Sequence, residues 1–161
     1  LNLAKGKILV DLDLKTDRIE KIVEVVNLTG TKEIVFFFDS DYNTLARIQA
    51  LGKDYMIMPR AYSVAQADSA ILLFNPPVVH IDFSFYTPEC VQLIQSKNAR
   101  IWINALGEPD KEIRSGKTNE ALQKLLVNGA NIIQTDEPEL LLKEKKKQGY
   151  RKNKSKVRKS S

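Results

Sequence analysis

The sequence predicts an α/β fold, a partial TIM-type (β/α) barrel of about six β/α units, and three observations carry that prediction. First, six short apolar runs recur at roughly 20- to 30-residue intervals: Ile8–Leu12, Ile34–Phe38, Tyr55–Met58, Val78–Phe83, Ile101–Ile103 and Asn131–Ile133. They are rich in β-branched and aromatic residues and hardly alternate with polar ones, as in parallel strands buried on both faces. Second, the intervening segments carry helical periodicity with recognisable starts and stops. Third, polar side chains gather at or just beyond the C-terminal ends of the runs, where barrel proteins place their sites.

The first run ends in Asp11, Asp13 and Lys15, which a strand directs to one side. Asp17 and Glu20 then have capping-box spacing, Ile19, Ile22, Val23 and Val26 form one stripe, and Gly30 is placed to end that helix. Phe36, Phe37 and Phe38 of the second run read as core or helix-facing, and Asp39 and Ser40 follow them. Gly52 is placed to stop the second helix. The third run leads to Arg60, and Ser63 with Gln66 repeats the capping spacing. In the fourth, His80, Asp82 and Ser84 share a side, and Thr87-Pro88 reads as an N-cap with proline at the first helical position. The fifth ends at Asn104. A long polar loop from Gly107 to Lys117 comes next, read as exposed linker or as cover for the barrel mouth. Thr118 then caps a helix carrying Leu122, Leu125 and Leu126, which stops at Asn128-Gly129. Thr135 and Asp136 close the sixth run, and Asp136 with Pro138 equally suits the capping of a last helix.

Polar groups at the ends of five or six strands suit a barrel mouth, whereas a doubly wound sheet gathers ligands at one switch point. No GxGxxG or GxxxxGK[ST] fingerprint for nucleotide phosphates is present. Six units do not close a barrel of eight strands. The expectation is therefore that two units precede Leu1, and that open strand edges favour self-association.

Composition narrows the function classes. The 161 residues are 43% hydrophobic and 28% charged, as in an ordinary globular domain, and no apolar run is long enough for a membrane span. Cys90 and His80 are the only cysteine and histidine, so neither an internal disulfide nor a Cys/His zinc cluster can form. The net charge of +5 is unevenly distributed. Residues 143–159 hold ten of the 25 Lys/Arg and one of the 20 Asp/Glu, which leaves 15 bases and 19 acids elsewhere, a charge of −4. Residues 1–145 thus read as the barrel portion and 146–161 as a basic, solvated tail, or a contact for a polyanion or an anionic membrane. Tyr150 is the one aromatic within that stretch, so nucleic acid is not the expected partner.

Several segments resemble the glycerophosphodiester phosphodiesterase family. Lys7-Ile8-Leu9-Val10-Asp11-Leu12-Asp13-Leu14-Lys15 is similar to that family's apolar strand ending in Glu-x-Lys, with Asp13 at the metal-binding glutamate and Lys15 at the lysine. Arg100-Ile101-Trp102-Ile103-Asn104 resembles its Trp-Thr-Val-Asn strand. Asn128 to Pro138 resembles its closing Gly-x-x-x-Ile-Ile-Thr-Asp-x-Pro segment. The resemblance covers residues 1 to about 145, in the order of the family's last six units.

The resemblance implies hydrolysis of a glycerophosphodiester to glycerol 3-phosphate and an alcohol, assisted by a divalent cation, Mg²⁺ or Ca²⁺. Asp13, with Asp11, would supply carboxylate oxygens to the ion, a hard-donor set suited to it. Lys15, Asn104 and Trp102 would face the substrate, and Arg60, after Met56-Ile57-Met58-Pro59, reads either as a substrate contact or as the partner of a neighbouring acid. The family's two catalytic histidines belong to His-Arg-Gly and His-Asp motifs that this sequence lacks, so the chain by itself is expected to be inactive. The alternative is a non-enzymatic α/β module that binds a phosphorylated ligand or partner. His80, in Val79-His80-Ile81-Asp82, matches neither histidine motif and reads as a structural histidine hydrogen-bonded to Asp82. Cys90, at a helix start, reads as packing. Asp11 and Asp13 have a plainer reading too, as strand-end acids paired with Lys15.

Overall fold

The computed structural model describes residues 1–149. The basic stretch expected over 146–161 lies outside the described residues from position 150 onward. The described residues divide into two compact units, one formed by residues 1–104 and 128–134, the other by 105–127 and 135–149.

The first unit holds a sheet of six parallel strands: β1 (Val10–Asp13), β2 (Val35–Asp39), β3 (Met56–Ala61), β4 (Val78–Ile81), β5 (Arg100–Asn104) and β6 (Ile132–Gln134). Each expected run yields one of them. Their order in the sheet is the order in the chain, β1-β2-β3-β4-β5-β6. Crossovers that always advance in one direction keep the helices of this unit on one face, as in the wall of an α/β barrel. A doubly wound sheet would reverse its order at a switch point, and no reversal occurs here.

Between these strands lie α1 (Ile19–Leu28), α2 (Tyr42–Leu51), α3 (Val64–Phe74) and α4 (Pro88–Ser96). Two expected caps form. Ser63 accepts from the backbone N–H of Gln66, and Thr87 accepts from that of Cys90 with Pro88 opening α4. The capping box at Asp17 does not form: Arg18 occupies the N-cap without a side-chain bond, and Glu20 instead takes the Arg47 guanidinium at 2.8 Å. Asp41, unremarked in the sequence, caps α2 by accepting from Asn43.

The two faces of the sheet bury different partners. Val35, Phe37 and Ile57 turn toward the helices and pack with Ile19, Val23, Val26, Leu45, Ile48 and Phe74. Phe36, Met58 and Val78 occupy the other face, in a cluster that adds Phe38, Met56, Trp102 and Ile132 and draws on strands alone. Strand alternation thus splits the phenylalanine triplet, with Phe37 under the helices and Phe36 and Phe38 opposite. A further tie links distant segments of this unit: the Tyr86 hydroxyl accepts from the Ala130 N–H at 2.8 Å, while Asn128 donates to the Tyr86 carbonyl at 2.5 Å.

The second unit contains α5 (Glu108–Arg114), α6 (Thr118–Leu126) and α7 (Pro138–Lys147). The expected polar loop from Gly107 to Lys117 therefore contains a helix, because Glu108, Pro109 and Asp110 make a favourable first turn. Thr118 is the first helical residue of α6, and its side chain caps nothing. Asp110 is fully buried, and its carboxylate is satisfied by the Thr135 hydroxyl at 2.5 Å and the Asp136 N–H at 2.8 Å. Arg114 bonds Glu137 at 2.6 Å and Asp136 at 3.2 Å. Among the described residues no helix is long and apolar enough to cross a membrane.

The division of the phenylalanines is directly measurable. Phe37→Ala empties a fully buried site and should cost about 3–5 kcal/mol in urea unfolding. Phe38→Ala, at a half-buried site, should cost clearly less. Equal losses would contradict the assignment of faces.

Candidate functional site

The strand pairing brings the sequence-predicted residues to the face opposite α1–α4. Asp11 and Asp13 of β1 stand in register with Phe36 and Phe38 of β2. Phe38 is level with Met58, Arg60 with His80, and His80 with Trp102. Asn104 stands beside Gln134 at the end of β5. In-register parallel strands keep partners on one side, so Asp11, Asp13, Arg60, His80, Trp102 and Asn104 share a surface with the strand-only apolar cluster.

Two ion pairs line the C-terminal ends of the strands. Lys15 Nζ lies 2.7 Å from Asp13 Oδ1, and both side chains are exposed. That hydrogen bond, with the charges of Asp13 and Asp39, holds the Lys15 ammonium above its ordinary range, while Arg60 opposes it. Arg60 Nη2 donates to Asp82 Oδ1 at 2.7 Å, and both partners are less than one-third exposed. The Arg60 guanidinium also lies over the Tyr62 ring, 4.9 Å from its centroid. Tyr62 escaped the sequence reading, although its position two residues after Arg60 was the available signal.

Asp11 and Asp13 are unequal acids. Loss of hydration raises the Asp11 carboxyl to about 6, the Asp13 charge adds to the rise and Lys15 opposes it. Two acids on one side of a four-residue strand support that direction, even though Asp11 is solvent-accessible. Both carboxylates offer hard oxygens of the type that Mg²⁺ or Ca²⁺ prefers. Such ions take roughly six to eight oxygen ligands. Among the described residues no group of three or more His, Cys, Asp or Glu comes together to hold an ion. Asp13 is moreover engaged by Lys15. By themselves, the described residues do not make up a divalent-cation site.

His80 departs most from expectation. Asp82, its expected partner, is taken by Arg60, and neither ring nitrogen of His80 has a hydrogen-bond partner. The imidazole is 2% exposed and lies between two rings, with centroids 5.2 Å from Phe38 and 6.3 Å from Trp102. Burial, reinforced by the Arg60 charge and opposed by Asp82 and Asp13, lowers it to about 4. It is therefore neutral at pH 7 and enclosed in the apolar cluster. The tertiary pairing of Arg60 with Asp82 outcompeted the local histidine, since a guanidinium gains more from a carboxylate than a neutral imidazole does. Trp102 is fixed from the other side, its indole N–H donating to Gln134 Oε1 at 3.4 Å. Cys90 is fully buried and burial pushes its thiol up, which fits its packing role.

The state of His80 has a sign that can be checked. Between pH 6.5 and about 4 the unfolded chain binds a proton that the folded chain does not, so stability falls with acidification by up to ~3 kcal/mol. Asp11 acts oppositely: its raised carboxyl favours the folded state at low pH, and that contribution is lost as pH rises through about 6. Because the chain has one histidine, its imidazole resonances are unambiguous in NMR. They should remain those of a neutral ring at pH 5.5, and a midpoint near 6.5 would refute the enclosure described above.

No family model matches the chain, and no curated protein matches it in sequence. Solved structures do match its fold. A glycerophosphoryl diester phosphodiesterase from Parabacteroides distasonis superposes with a TM-score of 0.75 at 17% identity, over 91% of this chain and 53% of that one. A glycerophosphodiester phosphodiesterase from Agrobacterium tumefaciens gives 0.71 at 13% identity, over 90% of this chain and 59% of that one. A putative member from Galdieria sulphuraria gives 0.71 at 16%, over 84% and 56%. The chain has the fold of these glycerophosphodiester phosphodiesterases and spans between 53% and 59% of their length.

Proposed function

We propose that this chain is the phosphate-facing portion of a glycerophosphodiester phosphodiesterase barrel, whose complete form hydrolyses a glycerophosphodiester to glycerol 3-phosphate and an alcohol. The observation that carries the reading is the placement of Lys15 and Arg60, each paired with an acid, at the C-terminal ends of β1 and β3, two strands of one parallel sheet that flank β2. Arg60 is near enough to Lys15 for its charge to act on it. The likeness in fold to solved phosphodiesterases supports the same reading.

In this reading Lys15 and Arg60 exchange their carboxylate partners for the non-bridging oxygens of the phosphodiester. Arg60 does so as a planar, multi-donor group and Lys15 as a point charge. Trp102 and Asn104 contribute the adjoining wall. Asp13 and Asp11 would serve the cation that the resemblance implies, with further oxygen ligands from outside the described residues, and no step is assigned to the ion. His80 does not act as general acid or base, because a ring enclosed between Phe38 and Trp102 cannot exchange protons with a ligand at neutral pH.

That last point also favours a second reading for the chain taken alone. With its one histidine sequestered, the chain would bind a phosphorylated ligand without turning it over. Phosphorus NMR separates the readings. Glycerophosphocholine added to the 161-residue chain should show a weak, saturable shift that Arg60→Ala removes, and no glycerol 3-phosphate should appear. Release of product by this chain would show that the catalytic groups lie within it. An unchanged shift in Arg60→Ala would remove Arg60 from the site. In a longer protein containing this chain, Asp13→Ala should lower cation-dependent turnover by about 100-fold or more with little change in Tm.

The strand edges make a separate prediction. β1 and β6 terminate the sheet, and Ile8 and Leu9 beside β1 are 63% and 58% exposed. Unpaired edges next to apolar side chains favour association between copies. Light scattering on the purified chain should show concentration-dependent oligomers, and a monodisperse monomer would count against open edges.

A further inference from the structure

The second unit carries a surface that the site does not use. Helix α7 turns Leu141 inward, where it is buried, with Glu144 and Gln148 following at helical spacing. Glu144 accepts from Lys147 at 3.1 Å and from Gln148 at 3.2 Å, and Gln148 also bonds Asn119 of α6. The rest of the helix faces water. Leu140 is 42% exposed and Leu142 is 55% exposed, on opposite flanks of the helix, and the outer side between them carries Lys143, Lys145, Lys146 and Lys147 with one acid, Glu139. The sequence beyond adds Arg151, Lys152, Lys154, Lys156, Arg158 and Lys159 with no further acid. Residues 1–142 meanwhile carry a net charge of −4, from 15 bases and 19 acids. The net positive charge is thus confined to one end of the chain.

We infer that α7, with its exposed Lys143, Lys145, Lys146 and Lys147, is a docking surface for an anionic lipid bilayer. Two features favour a bilayer over nucleic acid. Leu142, exposed among Lys143, Lys145 and Lys146, suits a headgroup boundary, where the ammonium groups meet phosphate and the apolar side chain reaches the acyl region. Single-stranded nucleic acid instead rewards aromatic platforms, and Tyr150 is the one aromatic residue from 138 onward. Polybasic segments of four to eight Lys/Arg are the usual complement of acidic membrane surfaces, and roughly that density is present here. The attraction is mainly electrostatic, so it weakens as salt shortens the screening length.

Sedimentation of the 161-residue chain with lipid vesicles tests this. The chain should partition onto phosphatidylcholine vesicles that contain phosphatidylserine and not onto phosphatidylcholine alone, and 1 M salt (screening length about 3 Å) should release it. The double substitution Lys143→Glu/Lys146→Glu, at exposed positions, should weaken partition by about tenfold or more, and Lys143→Gln/Lys146→Gln should fall between. Leu142→Ser should weaken binding while leaving its salt dependence intact. Equal binding to neutral vesicles, tighter binding to single-stranded RNA at the same salt, or unchanged partition of the charge-reversed variant would each overturn the inference. None of these outcomes bears on Arg60 and the phosphate reading, which the phosphorus shift tests separately.

Discussion

In-register parallel pairing is the constraint on which the rest of this structure depends. Each strand sends alternate side chains to opposite faces, and parallel partners held level keep those faces consistent across all six strands. One face is consumed by α1–α4 and carries the larger apolar core. The other collects Phe36, Met58, Val78 and Trp102 along the strands and releases charged residues where the strands end. A slip of one residue in β1 would move Asp11 and Asp13 under the helices and Leu12 out of them. Fold stability and the position of the candidate site are therefore consequences of one register.

Charge placement on that face follows a consistent physical rule. The cations at the strand ends are held by acids, Lys15 by Asp13 and Arg60 by Asp82. The group without such a partner, His80, loses its charge instead, because burial makes the imidazolium costlier than any nearby acid can offset. Asp11 shows the same logic in a carboxyl: with its hydration reduced and Asp13 beside it, it holds a proton more readily than an ordinary aspartate. In the proposed reading an incoming phosphodiester replaces carboxylates already bound to the same cations.

In the second unit a buried acid finds its partners within the same unit. Asp110 is a fully buried acid, yet its carboxylate receives a hydroxyl and a backbone N–H at the start of the segment leading into α7. Thr135 passes the network on by accepting from the Glu137 N–H at 2.9 Å, and Arg114 holds Asp136 and Glu137. The Thr-Asp pair thus ties the segment ahead of α7 to α5, but the expected capping by Asp136 does not form: Glu137 occupies the N-cap of α7 without a side-chain bond.

The sequence by itself determined what depends on near neighbours. The six apolar runs became six strands, and Ser63 and Thr87 capped α3 and α4, because strand propensity and capping are settled within a few residues. The polar strand ends, from Asp13 to Asn104, were legible for the same reason. Only the tertiary structure decided which charges meet. Asp17 and Glu20 had the spacing of a capping box, but Arg47, from α2, claimed Glu20. Asp82 lay two residues from His80, yet bonded Arg60, 22 residues earlier in the chain. Local spacing says which groups can reach one another along the chain, whereas strand register and helix packing bring up distant competitors, and the stronger charge-assisted partner prevails.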